Sequence, residues 1–335
     1  MKAEEIQQNL PAFLERQTGK KVRVENVVQM TGGASREIWS LDAVLEGESV
    51  PMVLRSAAVG WVRTQAIPEY DLLKAAFDAG VPVPEPLFMS DDVLPVSFFL
   101  MRRIPGETIA RRLLRDEEYS QAREAMAAQL GVAAARIHAI PADKYDSLGL
   151  REPPIERPPA AAELEGLEET YRTMTPEAHP AFELAFRWLR RRLPEANERC
   201  LVHGDFRVGN MIFGPEGLRS VIDWEGAHIG DPMEDLGWVC VRSWRFGGPK
   251  PVGGVGDREQ LFEAYERESG RPVDADRVRY WEIFGNLRWG VICITQAQRH
   301  LQGHSPSVEL VSIGRRTVET EVELIELMGG PPGAG

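Results

Sequence analysis

Residues 201–213 read LVHGDFRVGNMIF and residues 219–226 read RSVIDWEG, and these two segments carry most of the information about fold and chemistry. In the first segment, apolar residues lead into a turn at Asp205, and the chain returns through Asn210 into a second apolar run. This pattern predicts two short buried strands that present both side chains from one tight connection. In the second segment, another apolar run predicts a strand that delivers Asp223 just beyond its end.

The three side chains presented in this way all carry oxygen atoms. Mg²⁺ takes oxygen ligands, usually one or two carboxylates completed by substrate phosphates and water. Phosphoryl transfer needs such a metal and a group that accepts the proton of the attacking hydroxyl. Asn210 follows Asp205 by five positions, which is the interval between the catalytic Asp and the metal-binding Asn of protein-kinase catalytic loops. The alternative is that Asp205 and Asp223 are ordinary turn residues, because Asp is common in turns.

The chain around these segments changes character near residue 105. Residues 1–105 read as strand-rich with one helix, whereas residues 106–330 read as mainly helical with one β-rich island at 199–223. Doubly wound folds instead alternate strands and helices throughout. The pattern therefore predicts an N-terminal lobe and a C-terminal lobe, followed by a disordered tail at 331–335.

Local periodicity and breaker residues predict the individual elements. Strands are predicted at 22–30, 38–45, 53–55 and 95–104, and helices at 4–17, 67–79, 117–138, 161–173 and 176–192. The proline-rich residues 151–160 predict a loop. Residues 247–256, GGPKPVGGVG, predict a flexible segment that could serve as a lid. They lack the strand-then-helix setting of a dinucleotide-binding loop, which excludes that interpretation.

Composition limits the classes of protein to which the chain can belong. With 335 residues, 43% of them hydrophobic, it can bury one large core or two modest ones. The 39 basic and 51 acidic residues give a net charge of −12, which argues against a nucleic-acid binder. The acidic balance fits either simple solubility or a cationic substrate.

The cysteines and the N-terminus indicate where the protein works. Cys200, Cys240 and Cys293 lie far apart and form no Cys-x-x-Cys pair, so neither a disulfide framework nor a zinc site is expected. The first ten residues, MKAEEIQQNL, lack the apolar core of a signal peptide. No stretch approaches the ~18 apolar residues of a membrane span. We expect a cytoplasmic protein with no membrane partner, and its oligomeric state stays open between monomer and homodimer.

The motifs together resemble a known group of enzymes. HGDFRVGN followed by IDWE and then GDPMEDLGW is similar to the aminoglycoside phosphotransferase and choline kinase superfamily, over about residues 25–325. Within it, the sequence resembles phosphotransferase-family proteins related to the kinase-like domains attached to some acyl-CoA dehydrogenases. The resemblance implies an α+β, bilobal protein-kinase-like fold with a β-rich N-lobe and a mainly helical C-lobe. It also implies ATP and Mg²⁺ as cofactors and a small-molecule hydroxyl as the acceptor.

The resemblance also implies a role for each residue of the central motifs. Asp205 resembles the catalytic base, and Asn210 and Asp223 resemble the magnesium ligands. His203 resembles a structural residue that braces the loop, and Asp231 in Gly-Asp-Pro resembles a loop-stabilising aspartate. Asp235, by contrast, is expected to cap the helix that follows it.

The N-lobe is expected to hold the nucleotide. Residues 31–35, TGGAS, lie between two predicted strands, and their small side chains would let backbone N–H groups approach phosphates. In the resemblance, Gly32, Gly33 and Ser35 form the phosphate loop, with Ser35 as the side-chain contributor. A generic glycine turn would look the same.

Further nucleotide contacts are expected from the third strand and the hinge. Kinase-like N-lobes place a basic residue on the third strand, braced by a Glu from the single helix. Here these residues are Arg55, where Lys is usual, and Glu69. Arg forks to two oxygens whereas Lys is a point charge, so the phosphate geometry can differ. Glu69 can also be explained as a helix N-terminal acid. Backbone groups near Arg102 and Ile104 are expected at the adenine edge, although Arg102 can also be a plain surface charge.

The acceptor is expected between the catalytic loop and the late helices. Polar groups on a largely apolar helix often mark a pocket, although aromatic residues at helical spacing are usually core. The candidates are Trp224, Glu225, Trp244, Trp281, Arg288 and Trp289. This mixture favours an acceptor with an apolar or anionic portion, such as an acyl or polyketide-like alcohol. The alternatives are a non-catalytic ATP-binding module and a true aminoglycoside kinase.

Overall fold

The computed structural model describes residues 1–30, 37–56, 66–175 and 177–329. The chain divides into two compact units. The first, which we call the sheet unit, comprises Met1–Gly106, Pro141–Gly149 and Arg219–Glu225, and the second, the helical unit, comprises Glu107–Ile140, Leu150–Leu218 and Gly226–Gly335. The functions assigned to an N-lobe and a C-lobe divided near residue 105 stay predictions. The predicted phosphate loop at 31–35 and the predicted disordered tail at 331–335 lie outside the described residues.

The sheet unit is built on five antiparallel strands. Their order across the sheet is β1-β2-β3-β5-β4. In chain order its elements are α1 (Ala3–Thr18), β1 (Val22–Gln29), β2 (Ile38–Leu45), β3 (Glu48–Ser56), α2 (Ala66–Asp78), β4 (Pro86–Ser90) and β5 (Phe98–Arg102). On β3, Arg55 lies opposite Ile38 of β2 and Phe99 of β5. The register therefore fixes Arg55 in the central strand of the sheet.

Helix α1 covers one face of this sheet. Its apolar residues recur at helical spacing and are buried against the strands, among them Ile6, Leu10 and Phe13. The ring of Phe13 packs edge-on against Phe98 of β5, with 5.8 Å between the ring centroids. Because the helix and the sheet each bury an apolar face, they form one shared core.

Strand β4 is an element that the sequence analysis did not predict. Prolines at 82, 84 and 86 favour extended chain without specifying a strand, and β4 pairs with β5 along the edge of the sheet. Proline has no N–H to donate and is tolerated at the first residue of an edge strand. Pro86 occupies that position, which explains how a proline-rich approach leads into a strand.

The helical unit contains nine of the α-helices that the structure describes, with short strands between some of them. Its elements are α3 (Ala110–Arg115), α4 (Ser120–His138), α5 (Pro159–Met174), α6 (Pro180–Arg191), β6 (Cys200–Val202), β7 (Met211–Gly214), β9 (His228–Gly230), α7 (Met233–Trp238), α8 (Arg258–Ser269), α9 (Ala275–Leu301), α10 (Val308–Gly314) and α11 (Thr317–Gly329). Strand β8 (Gly217–Val221) begins in the helical unit and ends in the sheet unit, because the boundary falls between Leu218 and Arg219. Together with the antiparallel sheet of the first unit, this composition confirms the predicted α+β class.

Helices α4 and α8 approach each other unusually closely. A Cβ added to Gly131 of α4 would lie 2.4 Å from the backbone oxygen of Leu261 in α8. Only glycine fits there without moving one of the helices.

The three cysteines, Cys200, Cys240 and Cys293, are all buried as free thiols. Among the helices described, none combines the length and apolar character that a membrane crossing requires.

The glycine-rich segment at 247–256 differs from its prediction. Lys250 bridges to Gly254 and Val252 bridges to Gly256 in β-type pairs, and Val252 is completely buried. A Cβ on Gly248 would lie 2.4 Å from the backbone oxygen of Gly254. The glycines allow the segment to pack tightly on itself, so the expectation of a flexible lid is wrong.

Candidate active site

The HGD motif leaves the end of strand β6, which pairs antiparallel with β9. Asp235 of helix α7 is completely buried and holds the motif by its backbone. Its Oδ2 accepts the His203 N–H at 2.8 Å, and its Oδ1 accepts the Gly204 N–H at 2.9 Å. The same Oδ2 lies 3.1 Å from Nε2 of His138, whose Nδ1 lies 3.0 Å from the hydroxyl of Tyr265. One buried carboxylate thus fixes the loop that presents the next residue, Asp205.

Two opposing effects act on the pKa of Asp235. Burial raises it, but the hydrogen bond and charge of His138, together with His203, outweigh burial and lower the pKa below its usual value. The carboxylate is therefore ionised in the folded protein at neutral pH.

These contacts correct one prediction. Asp235 lies inside helix α7 and does not cap it. Asp231 lies before the helix, where its Oδ1 accepts the Met233 N–H at 2.8 Å. Asp231 also receives the guanidinium of Arg277, with 2.6 Å between Nη2 and Oδ1. Asp235 is therefore the aspartate that holds the loop presenting Asp205, while Asp231 joins the start of α7 to α9.

Gly204 is required by the closeness of a neighbouring backbone. Its φ is +76°, and a Cβ there would lie 2.1 Å from the backbone oxygen of Gly226. Both the left-handed conformation and this approach exclude other residues. The loop after β6 and the segment before β9 are consequently packed backbone to backbone.

Asp205 is oriented by three side chains of the helical unit. Its Oδ1 accepts the indole N–H of Trp238 at 2.8 Å, and its Oδ2 accepts the amide of Asn210 at 2.6 Å. Nε of Arg207 lies 3.0 Å from Oδ1 and 3.1 Å from Oδ2. The backbone N–H of Asp205 donates to Nδ1 of His203 at 3.3 Å. His203 therefore contacts the backbone of the loop, and its bracing role stays a prediction.

The orientation of Asn210 follows from the same contacts. Its amide nitrogen also donates to the backbone oxygen of Asp205 at 2.9 Å. Because the nitrogen is used twice within the loop, the amide oxygen is the atom left to bind a metal. That is the atom type Mg²⁺ prefers.

The sheet unit brings together three other predicted residues. Nε of Arg55 lies 3.0 Å from Oε1 of Glu69, and Nη2 lies 3.0 Å from Oδ1 of Asp223. Arg55 and Glu69 are buried, whereas the Asp223 side chain is 33% exposed. Asp223 has a φ of +68°, a conformation that Asp tolerates better than most residues. The contact between Arg55 and Asp223 was not predicted, because nothing in the sequence links positions so far apart.

The remaining nucleotide-side predictions can be placed only in part. Gly32, Gly33 and Ser35 lie outside the described residues. The backbone N–H of Arg102 donates to the backbone oxygen of Glu85 at 2.9 Å, and its side chain pairs with Glu85 at 2.7 Å. That N–H is therefore already used within the sheet unit. Ile104 is half-buried just after β5.

The predicted acceptor residues fall into different environments. Trp281 is buried between Tyr280 and Phe284 and belongs to the core. Trp224 is also buried, and it lies with Glu225 in a short 3-10 turn after Asp223.

Trp244 and Trp289 belong to an aromatic cluster close to Asp205. Their ring centroids are 4.8 Å apart, and Trp238 lies 5.3 Å from Trp244. The guanidinium of Arg288 stacks over Trp238 at 5.0 Å and pairs with Glu234 at 3.1 Å. Trp238 belongs to this cluster and also donates to the carboxylate of Asp205. The cluster therefore forms the wall of the candidate site on the helical unit.

A second carboxylate cluster lies nearby, formed by Glu163, His228 and Glu234, whose ligand atoms all lie within 4.8 Å of one another. Burial lowers the pKa of His228, but the charge and hydrogen bond of Glu234 outweigh it and raise the pKa. Arg151 pairs with Glu163, and Arg288 pairs with Glu234. Because cations of the protein already balance these carboxylates, the cluster does not fit a magnesium site.

Known proteins resemble this chain over most of its length. The profile of the phosphotransferase enzyme family matches residues 28–281. Acyl-CoA dehydrogenase family member 10 of Mus musculus is 30% identical over 272 residues, which cover 76% of this chain and 25% of the mouse protein. The chain thus spans about a quarter of the length of this curated relative.

Two solved structures show the same fold. A protein of Ralstonia eutropha, provisionally described as an aminoglycoside phosphotransferase, has a TM-score of 0.75 at 22% identity, with 96% of this chain and 98% of that chain covered. A thermostable mutant of aminoglycoside phosphotransferase APH(4)-Ia, in a ternary complex with AMP-PNP and hygromycin B, has a TM-score of 0.61 at 19% identity, with 98% and 100% covered. The predicted protein-kinase-like fold, with its β-rich N-terminal and helical C-terminal parts, is confirmed.

The HGDFRVGN, IDWE and GDPMEDLGW motifs all lie inside the matched range. The resemblance drawn from them is therefore confirmed, and the chain belongs to the phosphotransferase enzyme family.

Proposed function

We propose that the protein is an ATP- and Mg²⁺-dependent enzyme that transfers the γ-phosphoryl group of ATP to a hydroxyl of a small molecule. One observation carries the proposal most strongly: Asp205 is a partly exposed carboxylate fixed by Trp238 and Asn210 in a member of a phosphotransferase family. A carboxylate that is fixed in orientation and partly exposed is suited to receive the proton of an attacking hydroxyl once a lone pair is free. An APH(4)-Ia structure that holds AMP-PNP supports the choice of nucleotide.

In the proposed reaction, the acceptor hydroxyl gives its proton to Asp205 while its oxygen forms a bond to the γ-phosphorus. The bond between that phosphorus and the β–γ bridging oxygen breaks, and its electron pair leaves with ADP. Asp205 contributes orientation as well as proton acceptance, because Trp238 and Asn210 hold its carboxylate in one position. Such a base contributes about 10²–10⁴-fold to rate.

The amide oxygen of Asn210 and the carboxylate of Asp223 have the chemistry to hold magnesium. When bound, Mg²⁺ neutralises charge on the β- and γ-phosphate oxygens. Asp223 keeps a share of its carboxylate open to solvent while Arg55 holds one oxygen.

Arg55 is proposed to contact the α- and β-phosphates, in keeping with its guanidinium fork. Nε of Arg55 lies 3.0 Å from Glu69 and Nη2 lies 3.0 Å from Asp223, so one guanidinium pairs with both carboxylates. We assign nucleotide binding to the sheet unit, including the 31–35 loop and the backbone near Arg102 and Ile104, and acceptor binding to the helical unit. The buried free cysteines fit the reducing cytoplasm, where we propose the protein acts.

The acceptor is proposed to combine a hydroxyl with an apolar or anionic portion. The described wall near Asp205 is made of indole rings and guanidinium groups, with Trp244, Trp289 and Arg288 as members. Such a wall suits apolar surfaces and anions better than a polycationic sugar. An aminoglycoside would instead call for exposed carboxylates.

A screen of hydroxylated acceptors with ATP and Mg²⁺, read by coupled ADP release, tests the proposal. Kanamycin-like sugars belong in the panel, so that a true aminoglycoside kinase would be recognised. Asp205→Asn is the matched control, because it keeps the shape of the side chain and removes proton acceptance. We expect it to retain ATP affinity and to lose transfer by about 10²–10⁴-fold.

Two results would contradict the proposal. If the wild type binds ATP but transfers nothing and hydrolyses nothing beyond the Asp205→Asn background, the protein is a non-catalytic nucleotide-binding module. If Asp205→Asn keeps a near-normal kcat, the base lies elsewhere.

A further inference from the structure

Arg207 makes an unusual contact with the proposed base. Its Nε lies 3.0 Å from Oδ1 and 3.1 Å from Oδ2 of Asp205, so one N–H is shared between both carboxylate oxygens. Within the described residues, its two terminal nitrogens have no hydrogen-bond acceptor. The guanidinium carbon lies 4.8 Å from the ring centroid of Trp244, and the side chain is 24% exposed. A stacked guanidinium therefore touches the base with its inner nitrogen and offers its outer fork to solvent.

The hydrogen bonds of Asp205 show that this arrangement has to change during the reaction. An ionised carboxylate has about four lone-pair directions. Trp238 and Arg207 occupy Oδ1, and Asn210 and Arg207 occupy Oδ2. No direction is left for the hydroxyl of an acceptor.

Arg207 is the partner that can leave at least cost. Trp238 is almost completely buried and lies on the short helix α7, and Asn210 is buried and also bonded to the loop backbone. Arg207 is the most exposed of the three, and its contact uses a single N–H. Its departure frees one lone pair on each oxygen, which is what an incoming hydroxyl needs.

A group that draws Arg207 away must offer what its fork recognises. Guanidinium groups bind phosphate and carboxylate oxyanions through two parallel N–H···O bonds. In the proposed reaction the attacking oxygen lies about 2.6–3.2 Å from Asp205 and about 3–3.5 Å from the phosphorus. The transferred phosphorus is thus within about 7 Å of the carboxylate that Arg207 touches, and its oxygens lie one P–O bond away from it.

We propose that Arg207 is a catalytic residue that leaves Asp205 and binds the oxygens of the phosphoryl group during transfer. The inference rests on the proposed function and adds a residue that the motif analysis did not assign. Arg207 stays protonated throughout. It donates hydrogen bonds to the equatorial oxygens while the hydroxyl proton passes to Asp205, the new O–P bond forms and the old one breaks with its electrons on ADP. The face of Trp244 keeps the guanidinium close in both positions.

Arg207→Gln, Arg207→Lys and Arg207→Ala test this role in the assay described above. We expect Arg207→Gln to lower kcat by about 10²–10³-fold, the usual effect of removing one donor to developing charge. Affinity for ATP and for ADP should stay close to the wild-type value. Affinity for ADP with aluminium fluoride, which imitates the phosphoryl group in flight, should fall by a factor similar to that of kcat. Arg207→Lys should recover part of both losses.

A purely structural role would give different results. Added guanidinium should restore part of the activity of Arg207→Ala if the missing group acts on the phosphoryl oxygens, and should not do so if Arg207 only props up the loop. Arg192→Gln is the matched control, because the Arg192 guanidinium also stacks on an indole, Trp188, at 4.5 Å. It should behave as the wild type.

The outcomes separate this inference from the proposed function. If the wild type transfers phosphate and Asp205→Asn does not, but Arg207→Gln equals the wild type in kcat and in aluminium fluoride affinity, the inference on Arg207 is overturned alone. A fall in melting temperature of Arg207→Gln that accounts for its lost activity, without rescue of Arg207→Ala, also overturns it. A wild type that neither transfers phosphate nor binds ADP with aluminium fluoride overturns both.

Discussion

Asp205 and Asp223 come from neighbouring segments of the sequence, yet the structure holds them in opposite ways. Asp205 lies in the helical unit, where Trp238, Asn210 and Arg207 all donate to its carboxylate. Asp223 lies in the sheet unit, on left-handed backbone, with Arg55 as its cation at 3.0 Å. The carboxylate of Asp205 is fixed by donors from three residues, one of them charged, whereas that of Asp223 is held by a charged hydrogen bond from Arg55.

The difference matches what each proposed role demands. A base must point at one hydroxyl, so directional hydrogen bonds from rigid elements are useful. A magnesium ligand must reach an ion whose position also depends on phosphates, and an ion pair leaves more freedom. We therefore expect substitutions around Asp205 to change the stability and conformation of its loop. Substitutions around Asp223 should instead change affinity for Mg²⁺–ATP through the loss of charge.

The largest effect is expected from Asp235→Ala, which removes the buried support beneath the Asp205 loop. Two backbone N–H groups and His138 lose their acceptor. Breaking a buried charged pair costs about 3–5 kcal/mol. Urea unfolding should show this loss at neutral pH. The exposed Glu198, which pairs with Arg277 at 2.8 Å, supplies the control, since Glu198→Gln should cost less than about 1 kcal/mol.

The same variant has a predictable pH dependence. The pKa of Asp235 is lower in the folded protein than its usual value, because His138 and His203 outweigh the effect of burial. A lowered folded pKa contributes stability that is present above the unfolded pKa and lost as pH falls through the folded pKa. The stability gap between wild type and Asp235→Ala should therefore narrow in acid. A gap that widens there would contradict the ionised state of Asp235.

A smaller effect is expected at Asp223. Asp223→Asn keeps the shape and the tolerance for left-handed backbone but loses the charge, so affinity for Mg²⁺–ATP should fall about 10- to 100-fold. Asp223→Ala should lose the same affinity and also about 1–2 kcal/mol of stability from backbone strain. Calorimetry with and without Mg²⁺ measures the first effect and thermal unfolding the second. Equal affinity for wild type and Asp223→Asn in magnesium would remove Asp223 from the metal site.

The smallest effect is expected from Arg55→Lys. An ammonium keeps the charge but cannot pair with Glu69 and Asp223 through separate nitrogens as the guanidinium does. ATP affinity should fall by about 1 kcal/mol and not vanish. Arg55→Ala should bind ATP much more weakly. If Arg55→Ala binds as tightly as the wild type, Arg55 serves only to pair the two carboxylates.

The sequence predicted those parts of the site in which the residues lie close together along the chain. Asp205 and Asn210 belong to one turn, so their separation could be read directly, and apolar alternation located the strands around Arg55. Neither Trp238 nor Asp235 was predicted as a partner of the Asp205 loop, because contacts across more than thirty residues leave no local pattern. The choice between Asp231 and Asp235 shows the limit, since two aspartates beside a helix start look alike until their burial is known.

The glycine-rich segment at 247–256 was the other place where the sequence prediction differed from the structure. At 247–256 a glycine-rich composition is compatible with flexibility and with close packing, and only the distances around Gly248 and Val252 decide between them. The position of Arg207 was a signal available in the sequence, because it lies two positions after the proposed base. A cation so close in sequence to a carboxylate indicates that the two side chains can pair.

The alkylation rates of the three buried cysteines can be used to measure local opening of the helical unit. Burial raises the pKa of the Cys240 and Cys293 thiols to about 12 and that of Cys200 well above its usual value. Alkylating reagents attack the thiolate, so labelling at neutral pH proceeds through transient openings that expose each site. Cys200 begins the strand that leads into the HGD loop, Cys240 follows α7, and Cys293 lies within α9. Because Asp235 ties that loop to α7, the labelling rates of Cys200 and Cys240 should rise together when this tie is cut, while Cys293 keeps its own rate.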